Sequence, residues 1–298
     1  MPAPGAGILF IQSGRGVCAH CTIEPMMKSF PFQPGLRARL CRAAVLLAAG
    51  LTAQLATAQM RPLSEEELSA THAQGLMAMS NSSYGGFDFT RVALDADVTL
   101  SANFSKLRLG EYNYAPRNGS GADIDMSLLQ FGRSDGTEAQ RLVHISNPYF
   151  EFVYRNAADN ATREVVGMRF GFDGISGDVG LKLSQLSGSM LVQGQAADGS
   201  AIALDSHTDT MGGKRWDGSC SGACLSLAQL GGVTAGDANG PSRDFWISVL
   251  KTGVQFQAPS GTSQLPDAAQ AGIWLNWRDK LQAISTNGVT PPNLPKVR

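Results

Sequence analysis

Val92-Ala93-Leu94-Asp95-Ala96-Asp97-Val98-Thr99-Leu100-Ser101-Ala102-Asn103-Phe104 is the stretch that decides the fold. Val92, Leu94, Ala96, Val98, Leu100, Ala102 and Phe104 alternate with Ala93, Asp95, Asp97, Thr99, Ser101 and Asn103. A period of two places the first set on one face of a strand and the second on the other. Leu107 and Leu109 extend the pattern past a bulge or kink.

Shorter alternating or apolar runs follow at 124–128, 142–145, 150–154, 165–172, 179–183, 189–193, 202–204, 245–250 and 254–257. Asp198-Gly199 marks a hairpin turn, and Gly171-Phe172-Asp173-Gly174 and Gly177-Asp178 read as breaks between strands. Ile273-Trp274-Leu275-Asn276-Trp277 reads as a strand followed by a helical turn, because Trp274, Trp277, Leu281 and Ile284 also carry helical spacing. Residues 206–242 read as loop-rich. Many short strands with Gly-marked turns predict a mainly-β domain over 81–286, an antiparallel β-sandwich or a barrel-like domain. A β-solenoid is the alternative, although no fixed-period repeat supports it.

Upstream, 59–80 reads as a short capped helix segment. Ser64 and Glu67 form a capping box, Leu63 and Leu68 a hydrophobic staple, and Gly75 a stop. Asn81-Ser82-Ser83-Tyr84-Gly85-Gly86 reads as a linker, and 287–298 as a Pro-rich tail.

Residues 1–58 read as a secretory signal peptide with an N-terminal extension. Lys28, Arg37, Arg39 and Arg42 precede an apolar run, Ala43 to Leu51, which fades into Ala56-Thr57-Ala58. The apolar run is shorter than the roughly 20 residues a membrane span needs. The true start is expected at Met26 or Met27, which removes Cys18 and Cys21 from any metal-site argument. Arg39 and Leu40 before Cys41 do not fit a lipobox, so no lipid anchor is expected. Cleavage before Gln59 leaves 19 Lys and Arg against 24 Asp and Glu, a net charge of −5. Such a balance argues against nucleic-acid binding, which needs a basic face. The C-terminus lacks the aromatic ending of an outer-membrane barrel. Export to the periplasm, cell surface or medium is the expected location. There Cys220 and Cys224, the two remaining cysteines, would pair as a disulfide.

Candidate chemistry is sparse. No Gly-x-Ser-x-Gly elbow surrounds any Ser, and His72 and His144 read as structural or surface residues. Asp205, His207 and Asp209 share a face of an extended segment and are weak candidates for a metal; further ligands are not evident. Asp95 and Asp97 share the polar face of the long strand, and Gly119-Ser120-Gly121-Ala122-Asp123 bears a loose likeness to the Gly-rich turns of calcium-binding β-rolls, although those occur in tandem repeats. Lys214, Arg215 and Trp216, just before the cysteine pair, form a candidate binding loop with a cation–aromatic tip, or else a loop whose Trp packs back on the sheet. No cofactor is expected.

Arg61-Pro62-Leu63-Ser64-Glu65-Glu66-Glu67-Leu68-Ser69-Ala70-Thr71-His72-Ala73-Gln74-Gly75 resembles the acidic N-terminal segment of exported gammaproteobacterial FilA-like pilus-system proteins. Asn147-Pro148-Tyr149-Phe150-Glu151-Phe152, Val165-Val166-Gly167-Met168-Arg169-Phe170-Gly171-Phe172, Leu186-Ser187-Gly188, Asp244-Phe245-Trp246-Ile247-Ser248 and Trp274-Leu275-Asn276-Trp277-Arg278-Asp279 are similar in order. Ala73-Gln74 departs from the family's Gly-Gln. The resemblance implies an envelope-located, β-rich, non-enzymatic protein whose partners are envelope or pilus-system proteins. It supplies no catalytic residues. The expected function is therefore that of an exported structural or interaction protein. A secreted carbohydrate- or calcium-binding β module is the alternative, and a secreted hydrolase comes after it. A groove lined by Trp216, Trp246 or Trp274 would favour the carbohydrate reading, and a buried Ser–His–Asp cluster the hydrolase.

Overall fold

A 23-residue strand, Glu164–Leu186, is the spine of the fold. It is β9 of fifteen in a computed structural model that describes residues 76–117, 119–210 and 212–295. Before it come β1 (Met77–Tyr84), β2 (Phe87–Leu94), β3 (Asp97–Leu100), β4 (Ala102–Leu109), β5 (Tyr112–Tyr114), β6 (Gly119–Gly121), β7 (Ile124–Phe131) and β8 (Val143–Arg155). After it come β10 (Gly188–Gln195), β11 (Ala201–Asp205), β12 (Gly232–Ala235), β13 (Trp246–Leu250), β14 (Gly272–Trp277) and β15 (Leu281–Ser285).

The first half of β9 lies between β8 and β13, the second half between β7 and β12. Six strands close a ring, β9-β12-β15-β10-β14-β13 and back to β9, and the others extend it. The domain is thus mainly β with a closed barrel rather than a demonstrated sandwich. Only the β10 pairings with β14 and β15 are parallel among the named strand pairs; a solenoid, whose coils stack in parallel, is not what forms.

β9 crosses both Gly-marked segments that read as breaks. Glycine in a strand marks a bend or a close backbone approach, and both occur here. At Gly177, φ is +123°, and a Cβ would sit 2.9 Å from the Leu142 carbonyl oxygen. Gly177→Ala is therefore expected to lower folding stability by roughly 1–3 kcal/mol. The urea midpoint would fall at unchanged slope; a wild-type midpoint would refute the bend's dependence on glycine.

Other expectations need correction. β1 occupies 77–84, where the helix segment and linker were expected; it pairs with β2 along its whole length. The two strands meet at Gly85-Gly86, both at positive φ (59° and 81°), as a two-residue hairpin turn favours. The helix expected before Gly75 and the signal peptide lie outside the described residues. The long alternating stretch is broken into β2, β3 and β4, and its apolar members Leu94, Val98 and Phe104 are exposed. Trp277 is followed by the strand β15, not by a helical turn. The segment 254–257 is not a strand; Val254 makes a single bridge to Ala269. Of the Pro-rich tail, Asn293 is buried, and its amide donates to Asn103 Oδ1 and the Phe131 carbonyl at 3.0 and 2.9 Å.

Two apolar clusters form. The larger joins β7, β9, β10, β12 and β14 through residues such as Ile124, Leu186, Met190, Val192 and Val233. The second lies on the opposite face of β13 and β14. Trp246, Leu250 and Trp274 pack there against Phe89, Val153 and a strap, residues 251–270, that brings Val254, Phe256 and Ala269. The period of two explains the division: Trp246 and Leu250 serve the second cluster, while Ile247 packs against the first. A polar row crosses this second face in register, Arg91–Glu151–Arg169–Ser248, and ends against Trp274.

Candidate functional site

A group of chemically active side chains sits where the strap meets the barrel. β10 supplies Ser189, the end of β11 Asp205, the short turn after it His207, and the strap Asp267. Arg278 comes from the residues just after β14. Asp205 caps the turn by accepting from the His207 N–H at 3.0 Å, a role that suits an Asp in extended conformation. Its two oxygens also accept from Arg278, at 2.9 and 3.3 Å. Burial alone would raise the Asp205 carboxyl, but Arg278 and the His207 N–H outweigh it, so it lies below the usual carboxylate range. Next door, burial pushes the Asp244 carboxyl up, against hydrogen bonds from the Asp279 and Arg278 N–H groups. A cavity of about 210 Å³ adjoins this group, with Asp244, Asp267, Arg278 and Lys280 in its wall.

Ser189, His207 and Asp267 do come together, which sequence spacing did not reveal. Their order is not that of a nucleophilic triad. Such a triad places the imidazole between hydroxyl and carboxylate, so that His takes the Ser proton. Here Asp267 is in the middle: it accepts from the Ser189 hydroxyl and lies 2.5 Å from His207 Nε2. Arg278 Nη1 donates to Ser189 Oγ at 3.2 Å, and Ser189 is fully buried. The network pins the strap to the barrel, and no imidazole contacts the hydroxyl.

The metal candidates are drawn apart. Asp205 is held by Arg278, His207 by Asp267, and Asp209 accepts from the Gly213 N–H at 3.1 Å. Among the described residues no three metal-ligating side chains converge. The calcium-like turn ends in Asp123, which is fully buried and saturated. Oδ2 accepts from the Tyr112 hydroxyl at 2.9 Å and the Ile273 N–H at 2.8 Å; Oδ1 accepts from Arg215 Nε at 3.1 Å and Arg117 Nη1 at 3.4 Å. No lone pair remains for calcium.

In the Lys214-Arg215-Trp216 loop the Trp packs back into the interior rather than forming an exposed cation–aromatic tip, and Lys214 is half-buried. Arg215 is 2% exposed and stacks 4.5 Å from the Tyr112 ring centre, and Trp216 is 3% exposed in the larger cluster. Arg117, also buried, completes a node of two guanidiniums on one carboxylate. Burial pulls the Arg117 guanidinium below its usual value, and Asp123 opposes this. Burial and the Asp123 hydrogen bond hold the Tyr112 hydroxyl protonated, above its usual range. All four Trp are buried, so none lines an open groove.

Comparison with family models, curated proteins and solved structures finds no match.

Cys220 and Cys224 are disulfide-bonded, with Cα atoms 6.3 Å apart. The bridge closes a very short loop, for which chain entropy predicts about 2 kcal/mol. Replacing both cysteines with Ser is expected to lower stability by about that amount. Urea titration of both proteins under oxidising conditions checks it; equal midpoints would show that the bridge is decorative.

Proposed function

We propose that this chain is an exported, non-enzymatic structural or interaction protein of the cell envelope, associated with a pilus-like surface system. The observation that carries this reading is the β1–β2 arm. Met79, Val92 and Phe150 stand side by side on β1, β2 and β8. The same row continues through Phe170, Ile247 and Leu275 into the packed interior. The inner face of the barrel thus extends onto a surface where Met77, Met79, Leu94 and Phe150 are exposed, Met79 to 71%. At the sheet's edge β1 carries no charge and no proline, and among the described residues nothing pairs with its outer side.

Exposed edge strands are normally blunted by charge, proline or bulges, because they accept further strands. An unblunted edge beside an apolar face suits a protein partner that adds a strand. The disulfide agrees with an oxidising compartment. The Ser189–Asp267–His207 order supports a role other than nucleophilic hydrolysis. A strain lacking the gene is expected to lose surface piliation and adhesion, with rescue by the wild-type chain but not by Met79→Lys. Unchanged piliation and adhesion in that strain would overturn the reading.

A further inference from the structure

A second concave surface lies between the ends of β10 and β15 and the Cys220–Cys224 loop. β10 and β15 pair only at Gln193 and Gln282. Past that point no ladder joins them, and the wedge between them forms a groove of about 820 Å³. That volume falls in the range of small-molecule sites, roughly 300–1,000 Å³.

The chemistry of the lining is unusual for this chain. Charged residues make up 16% of the sequence, yet no residue lining the groove is charged, and none is aromatic. Carboxamides and hydroxyls take their place. The Gln195 and Gln282 carboxamides have no hydrogen-bond partner among the described residues. Gln229 uses only its oxygen, which accepts from the Ser226 N–H and hydroxyl at 3.1 and 2.8 Å, so its two N–H donors are free. Ile202 and Ile284 supply apolar surface between these groups. The disulfide holds one wall, at Cys224.

A carboxamide offers both donors and an acceptor, and each ligand hydroxyl both donates and accepts. A neutral polyhydroxylated ligand can therefore be satisfied at every position, with aliphatic surface against its C–H faces. A charged ligand would lose hydration without gaining a countercharge, which is costly. An extended peptide would need free strand-edge groups, but the Gln195 carbonyl at the rim already accepts from the Thr286 hydroxyl at 2.9 Å. We propose that this groove binds a neutral oligosaccharide. The inference goes beyond the strand-addition reading and concerns a different surface, so either can fail without the other.

The test titrates the full chain, disulfide intact, with maltohexaose, cellohexaose and chitohexaose by calorimetry and ligand-observed NMR. Oligogalacturonate and a neutral hexapeptide serve as comparisons. At least one neutral sugar is expected to bind with a Kd of about 1 mM or tighter. Its affinity should not change with salt, because no charge is screened. The double variant Gln195→Ala/Gln282→Ala should bind roughly tenfold more weakly. Both side chains are exposed, so its urea midpoint should match wild type. No binding of any neutral sugar overturns the proposal. So does equal binding by the double variant, or preference for the acidic sugar or the peptide.

Discussion

Asp123→Asn is expected to cost about 3–5 kcal/mol of folding stability, as breaking a buried ion pair does. Asp123 is the sole carboxylate shown between two buried guanidiniums, Arg117 and Arg215. Removing its charge leaves two buried cations facing each other. It also turns one acceptor into a donor that meets either the Tyr112 hydroxyl and the Ile273 N–H or the two guanidiniums. The node carries an asymmetry that makes the test specific. Arg215→Met removes one cation and leaves a neutral Arg117–Asp123 pair, so its cost should be less than half as large. Urea midpoints for the two variants settle this. Equal losses would mean that packing, not charge, governs the node.

Phe256→Ala is the second large expected effect, about 3–5 kcal/mol for a fully buried Phe. Phe256 closes the second apolar cluster: its ring centre lies 4.9 Å from that of Trp246 and 5.8 Å from that of Phe89. It also covers the Arg169 guanidinium, 4.1 Å from the ring centre, which pairs with Glu151 at 2.5 Å. Truncation opens a cavity and admits water to that pair. Phe256→Leu restores most of the volume and should recover more than half of the loss. A Leu variant no better than Ala would indicate that the aromatic ring over Arg169, rather than filled volume, is what matters.

Much of the β architecture was legible because alternation survives in a single sequence. The runs at 124–128, 150–154 and 189–193 fall in strands, as does 245–250 apart from Phe245, and the Asp198-Gly199 hairpin forms between β10 and β11. What failed has identifiable physical causes. Asn81, Ser82 and Ser83 look like a linker by composition. They become strand because β2 offers a ladder, with Thr90 Oγ1 donating to Asn81 Oδ1 and Ser83 Oγ to Asp88 Oδ1. The glycines of β9 look like turns, but they serve a bend inside one continuous strand, which only the neighbouring backbone makes visible. Helical spacing from Trp274 to Ile284 arises from two strands offset by a kink at Lys280, where φ is +52°.

The candidate site was less legible still. Asp205 and His207 were singled out, yet their partners Arg278 and Asp267 lie 60 or more residues away in sequence. Asp123 ends a Gly-rich turn with a likeness to calcium-binding turns, and only the folded chain shows it held by Arg117 and Arg215. The uncharged groove has no linear signature, because its walls come from β10, the cysteine loop and β15.

The closure of the ring also fixes the order of events at synthesis. β10 follows β9 almost at once and pairs early with β11, but its ring partners β14 and β15 come last among the described strands; Gly188 must wait for Leu275. Until then β10 and β13 each lack a neighbour in the ring, and the barrel stays open between them. Late, long-range pairing makes for slow folding and exposes unpaired strands to aggregation. Chains that terminate before Gly272 would therefore emerge as sticky half-sheets, and the whole domain becomes competent only when its C-terminal strands arrive.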